Sequence, residues 1–321
     1  MFKRILVPLD GSSRAENALL VAARIARSTG SSIHILRVVA PPIDYGGGLA
    51  EAPLLMSQMI ESEMDISNSY LKRVATLPTL KDIQITTEAI FGLPAQYILA
   101  SAESRAADLI VLCSHGRTGF ARWALGSVAH TLAHESTIPT LILRESEPSS
   151  LLLTSDTTRP LRTLVPLDGS QLAEYALVPT AYLTMALATP DQGALHLAQV
   201  VKLYSETADE TFISVQNEEA LQSAKAYLVA TREHLLATHK DLKLALTYSV
   251  EFDKDVASVL VNLAEHRSDG IANTADAGCD LIAMSTHGRS GLERWVMGSV
   301  TERVLNTTRL PMLIVRPPKN K

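Results

Sequence analysis

Two cysteines, Cys113 and Cys279, are all that 321 residues contain. So few cannot build a disulfide framework, and a reducing compartment is expected. Long apolar runs are missing as well. No uninterrupted stretch approaches the roughly 18 residues that a membrane-spanning helix needs. Near the start, the run Ile5 to Val7 is interrupted by Pro8 and Asp10, which is too short for a secretory core. A soluble cytoplasmic protein is expected. An excess of basic charge is also lacking. The formal net charge is -5, which argues against a nucleic-acid backbone as the main partner. No phosphate-loop Gly-Lys-Ser/Thr, no Ser-His-Asp signature and no interpretable carboxylate pair occurs, so no catalytic residue is assigned. No second His or Cys lies at metal-ligand spacing from His115 or His287, and no metal site is expected.

What the chain does have is folding power and repetition. Apolar residues make up 46% and charged residues 20%, the balance of a well-buried protein. Its length suits two domains of about 150 residues. "ILVPLDGSSRAENAL" begins at Ile5 and "TLVPLDGSQLAEYAL" at Thr163. "SHGRTGFARWALGSVAH", from Ser114, is nearly copied by "THGRSGLERWVMGSVTE", from Thr286. Each half ends on a Pro-led apolar run, "IPTLILR" and "LPMLIVR". Three landmarks in one order mark a duplicated domain. The expected division is a first domain over 1–145, a linker over 146–160 and a second domain over 161–321. The seam is rich in Glu, Ser, Thr and Pro, which suits a linker, although Leu151 to Leu153 could dock against a domain. The offset between copies grows from 158 residues at Pro8/Pro166 to 172 at Gly126/Gly298. Copy two therefore carries an insertion, and "RSDGIANTADAG", Arg267 to Gly278, is expected to be part of it.

Each copy alternates strand and helix. "RILVPLD" reads as a strand buried on both faces. The next helix shows Ala15, Ala18, Leu19, Ala22 and Ala26 on one side, with Ser13 and Glu16 as a capping box and Gly30 as a stop. Further helices are expected over 56–75 and 95–104 and after Ser127, with a strand over Thr140 to Leu143. Copy two follows, with helices over 218–239 and 255–266. Pro179 should kink or shorten its first helix. The pattern implies parallel sheets covered on both faces.

The glycine passages follow buried strands, "DLIVLC" and "DLIAMS". In an open parallel sheet, ligands bind beyond the carboxyl ends of the strands. Gly116, Arg117, Thr118 and Gly119 fall there, and Gly126 and Ser127 open the next helix. Free amides at a helix start attract anions, and glycine lets the backbone approach a phosphate closely. Gly288, Arg289, Gly291, Gly298 and Ser299 repeat the arrangement. The same glycines could instead serve tight turns and close helix packing. His115 and His287 read first as loop caps. Arg117 and Arg289 suit either a phosphate contact or a solvated surface. Trp123 and Trp295 read as packing anchors. Asp10 and Asp168 could cap the first helix or contact a ligand.

These motifs resemble the universal stress protein family, in a tandem two-domain form. Its mark is Gly, two residues, Gly, nine residues, Gly, then Ser or Thr. Nine residues separate Gly116 from Gly126, and nine separate Gly288 from Gly298. The first Gly of the pattern is replaced by Cys113 in copy one and by Ser285 in copy two. The resemblance covers almost the whole chain. It implies an α/β protein of two flavodoxin/Rossmann-like (adenine nucleotide alpha hydrolase-like) domains, each a five-stranded parallel sheet flanked by helices.

The resemblance also implies an ATP-type ligand, with or without Mg2+. In copy one Pro8, Leu9 and Asp10 would flank base and ribose, with Val38 beside the adenine. Gly116, Gly126, Ser127 and Val128 would hold phosphates. In copy two the matching residues are Pro166, Leu167, Asp168 and Val200, then Gly288, Gly298, Ser299 and Val300. In the family, the last strands commonly pair domains, so pairing of the two copies within the chain is expected, and a homodimer is open. Three functional readings stand at this point: a nucleotide-binding regulator of stress response, a weak ATPase, and a partner-binding scaffold without nucleotide.

Overall fold

The protein is described here from a computed structural model, which describes residues 2–41, 53–114, 125–144, 160–202, 210–265, 278–288 and 297–318. It divides into two compact units, residues 1–145 and 146–321. The Leu151 to Leu153 segment, most of the expected insertion, and Trp123 and Trp295 lie outside the described residues.

In the first unit, β1 (Arg4–Leu9) leads to α1 (Ser13–Thr29), β2 (Ser32–Val39), α2 (Pro53–Ala75), β3 (Ile85–Phe91), α3 (Pro94–Ser104), β4 (Leu109–Cys113), α4 (Ser127–Glu135) and β5 (Thr140–Leu143). The strands lie in the order β3-β2-β1-β4-β5, and every pairing among them is parallel. Ile5, Leu6 and Val7 of β1 are buried, as a strand covered on both faces requires. The five α1 residues expected to face inward are buried, together with Val21, Ala23 and Ile25. Gly30 ends α1 in the left-handed conformation and returns its N–H to the Ala26 carbonyl, the standard glycine stop.

One local expectation is corrected. The cap of α1 is Ser12, whose Oγ accepts from the Ala15 amide at 3.2 Å, and no box forms between Ser13 and Glu16. The cap lies one residue earlier because Asp10 Oδ1 accepts from both the amide and the hydroxyl of Ser12. Glu16 is thereby free to pair with Arg73 of α2 at 2.9 Å.

The second unit repeats the plan with β6 (Arg162–Pro166), α5 (Gln171–Glu174), α6 (Leu177–Ala188), β7 (Gly193–Val201), α7 (Glu210–Thr238), β8 (Leu244–Phe252), α8 (Val256–Glu265), β9 (Leu281–Ser285), α9 (Ser299–Thr307) and β10 (Met312–Val315). Its order is β8-β7-β6-β9-β10, again all parallel. Val165, Leu195, Leu197, Leu228, Leu235 and Leu244 belong to one apolar core between sheet and helices. Burying each such side chain contributes about 1.5–3 kcal/mol, so this layer dominates the stability of the unit.

Pro179 acts as expected. The single helix of copy one is divided here into α5 and α6, with the break at Tyr175 and Ala176. Proline has no amide to offer the carbonyl four residues earlier, and its ring crowds that carbonyl. The helix therefore restarts at Leu177, which puts Pro179 in its first turn.

Candidate functional site

In both units the chain leaves the first strand toward one side of the sheet and later returns to the other. Strand order reverses between β1 and β4, and again between β6 and β9. The crevice beyond the carboxyl ends at such a point is where ligands enter open α/β sheets.

In the second unit that crevice is a cavity of about 850 Å³, within the range of small-molecule sites. Pro166 closes β6 and lines it, and Leu167, Asp168 and Gly169 follow. Val200 of β7 and Ser285 of β9 line it as well, as do His287 and Gly288 just beyond. Gly298, Ser299 and Val300 complete the wall at the start of α9. Every described residue singled out from the copy-two sequence is therefore brought to one cavity. Arg289 and Gly291 lie outside the described residues.

Local chemistry explains the shape. Asp168 Oδ1 accepts from the Ser170 amide at 3.0 Å and from its hydroxyl at 2.6 Å. Ser170 in turn caps α5 by accepting from the Ala173 amide. Gly169, at φ 84°, makes the reversal that an L side chain resists. The capping role weighed for Asp168 is thus an indirect one: it braces the residue that caps. Gly288 packs its α-carbon against this carboxylate, and a β-carbon there would collide with Asp168 Oδ2.

Gly298 is the N-cap of α9, at φ -60° and ψ 138°, with no side-chain cap. Its N–H is taken by the Thr286 carbonyl at 2.8 Å, and its own carbonyl accepts from Glu302. The amides of Ser299, Val300 and Thr301 therefore start the helix with no intrahelical acceptor. All three residues line the cavity, so the positive end of the helix faces it. His287 Nδ1 shares a hydrogen bond with Thr286 Oγ1 at 2.8 Å, which fits the loop-cap reading. Ser285, in place of the first motif glycine, is buried. Its hydroxyl accepts from the His287 amide, and its carbonyl accepts from Thr301 Oγ1 at 2.9 Å.

The first unit places its counterparts in the same way. Pro8 and Leu9 end β1, Asp10 follows, Val38 lies on β2, and Cys113 ends β4. Gly126, at φ -64° and ψ 151°, caps α4 without a side chain, and Ser127 and Val128 open that helix. The Gly126 amide is bound by the Ser114 carbonyl at 2.8 Å, as in copy two. Cys113 Sγ turns toward α1 and donates to the Arg14 carbonyl. His115, Gly116, Arg117 and Gly119 lie outside the described residues.

Residues 1–144 and 161–316 match the universal stress protein family. The chain belongs to that family. Similar relatives bear out the tandem form. A universal stress protein of Mycolicibacterium smegmatis is 23% identical over 314 residues, covering 98% of this chain and 97% of its own length. One from Methanocaldococcus jannaschii is 30% identical over 145 residues, which is 45% of this chain and 84% of that protein. Among solved structures, a universal stress protein from Archaeoglobus fulgidus DSM 4304 superimposes with a TM-score of 0.59. It is 18% identical and covers 98% of both chains, a likeness of fold. Among the described residues, no helix is long and apolar enough to cross a membrane.

Sequence reasoning missed part of this universal stress protein's cavity. Gln199 of β7 and Tyr227 of α7 also line it. Tyr227 donates to Glu174 Oε1 at 2.9 Å, and burial first, then this carboxylate, push its hydroxyl pKa up. The available signal for Gln199 was a polar residue inside the apolar strand "LHLAQVV". Tyr227 is one of many side chains on a long helix and carried no local signal.

Proposed function

We propose that this protein is an adenine-nucleotide-binding regulator of stress response, taking an ATP-type ligand in the cavity of the second unit. The observation that carries the reading is the start of α9. Three amides without intrahelical acceptors face the cavity, and the two glycines beside them, Gly288 and Gly298, add no side chain. This is the chemistry of an anion cradle.

The remaining lining suits the rest of a nucleotide. Asp168 sits just beyond the end of β6, where a carboxylate can accept from ribose hydroxyls. Val200 and Leu260 supply apolar surface for a base. In copy one, Pro8, Leu9, Asp10, Val38, Gly126, Ser127 and Val128 support the same role. His115, Gly116, Arg117, Gly119, Arg289 and Gly291 are part of the proposal through the motif. Bound nucleotide would favour one conformation of the protein, and partners would read that state.

The test is calorimetry of the full chain with ATP, with and without Mg2+. Saturable binding that Gly298→Val removes is expected. Absence of binding, together with protein isolated from cells free of nucleotide, would overturn the reading. Steady-state phosphate release tells whether bound ATP turns over.

A further inference from the structure

Gln199 lies on β7 with 7% of its surface exposed and with the cavity beside it. Its Oε1 is enclosed and meets no hydrogen-bond donor. A buried amide oxygen without a partner is costly, and native proteins keep few of them. The fold does not require an amide here, since Leu195 and Leu197 of the same strand are ordinary core residues.

The first unit treats the equivalent position differently. Pro8 lies opposite Leu36, and Pro166 opposite Ala198. One residue further along are Arg37 and Gln199. Arg37 is equally buried, at 8%. Its guanidinium carbon is 4.9 Å from the centre of the Tyr70 ring and 3.1 Å from where a β-carbon on Gly11 would stand. The long cation thus fills the room between the first-helix turn and the second helix. In the second unit the matching room, bounded by Gly169, Tyr227 and Gln199, belongs to the cavity.

The surroundings of Gln199 favour a flat, largely apolar group that carries a polar edge. Side chains alternate along a strand, so Gln199 shares its face of β7 with Leu195 and Leu197, and Ala224 and the ring-bearing Tyr227 line the cavity from α7. The free amides of α9 and the Asp168 carboxylate lie on other elements. A primary amide offers one acceptor beside one donor. The amino group and adjacent ring nitrogen of adenine present the complementary pair, which is how glutamine reads that base in a DNA groove.

We propose that Gln199 is a specificity-determining residue of the second cavity, its side-chain amide pairing with the amino-bearing edge of an adenine-type base. This rests on the nucleotide reading above. It also makes the two copies unequal: Arg37 gives the first unit a cation, with no acceptor to offer an amino group.

The experiment is calorimetry on the full chain with three ligands: ATP, the triphosphate of purine riboside (which lacks the amino group) and 2′-deoxy-ATP. The wild type should bind ATP about three- to tenfold more tightly than the purine riboside triphosphate, the value of one neutral hydrogen bond. Gln199→Leu should bind both alike, at the weaker level, and should treat 2′-deoxy-ATP as the wild type does. Arg37→Leu should leave the preference unchanged. If Gln199→Leu does not fold, Gln199→Met carries the same test. A variant that keeps the full preference for ATP overturns the proposal, and so does one that loses discrimination against 2′-deoxy-ATP instead. Failure of the wild type to bind ATP would remove the nucleotide reading itself, an outcome visible before any variant is made.

Discussion

Gly288 stands so close to Asp168 that a β-carbon there would overlap the carboxylate Oδ2. The carboxylate cannot readily swing aside, because Oδ1 holds both the amide and the hydroxyl of Ser170. The motif glycine and the aspartate after β6, separated by 120 positions in the chain, therefore form one structural unit at the cavity floor.

Gly288→Ala should lower stability by about 1–3 kcal/mol, the usual cost of forcing an extra group into a packed site. Urea titration checks this. In an Asp168→Ala background the same change should cost much less, because the clash is with that carboxylate. Strict additivity of the two changes would show that they do not touch.

Gly126→Val with Gly298→Val should separate folding from binding. Both positions have extended backbone angles that any residue adopts, and a β-carbon at 298 comes no nearer than 3.4 Å to the Thr286 carbonyl. Helix content by circular dichroism should be unchanged. ATP binding by calorimetry should fall at least tenfold, because each valine covers the amides that a phosphate would approach.

Ser170→Ala should cost about 1 kcal/mol, the typical value of a helix N-cap. The Asp168 carboxylate loses its hydroxyl donor in the same change. Ser170→Asn, which can cap but places a longer side chain beside Asp168, should recover part of the loss. Denaturation midpoints of the three proteins decide.

Acid should weaken the second unit through His196. Burial, and then the Arg162 guanidinium, depress its pKa from 6.5 to about 4. Arg162 can only donate, so His196 Nδ1, 2.8 Å from Arg162 Nη2, is the acceptor. Nε2–H is left to donate to Ser249 Oγ at 3.0 Å. Between those two pKa values the unfolded chain binds the proton and the folded one does not. Stability is thus whole above about pH 6.5 and falls as pH drops toward 4, by about 2 kcal/mol at pH 5. His196→Gln should flatten this fall, measured as urea midpoints at pH 7, 6 and 5.

Much of the architecture was legible because its signals are contiguous. The duplicated "VPLDGS" and glycine passages marked two copies, and strand-helix alternation gave the parallel sheets. Gly30, Thr140 to Leu143 and Pro179 each did what a local rule requires. The misplaced cap at Ser13 shows the limit of such rules: Ser12 and Ser13 are both good caps, and the choice was made by Asp10. The glycine side of the cavity was also legible, since its residues come in motifs. Gln199 and Tyr227 were not, because their importance arises only when β7 and α7 are laid beside β6.

The divided first helix of the second unit sets how that copy can breathe. In the first unit, α1 is one seventeen-residue cylinder, and its opening turn is continuous with everything behind it. In the second, the four residues of α5, anchored by Ser170 at one end and by the Glu174–Tyr227 bond at the other, can come loose without unwinding α6. Amide protons of residues 172–176 should exchange with solvent well ahead of those from 181 to 188, while those of α1 beyond its first turn should exchange as a single block.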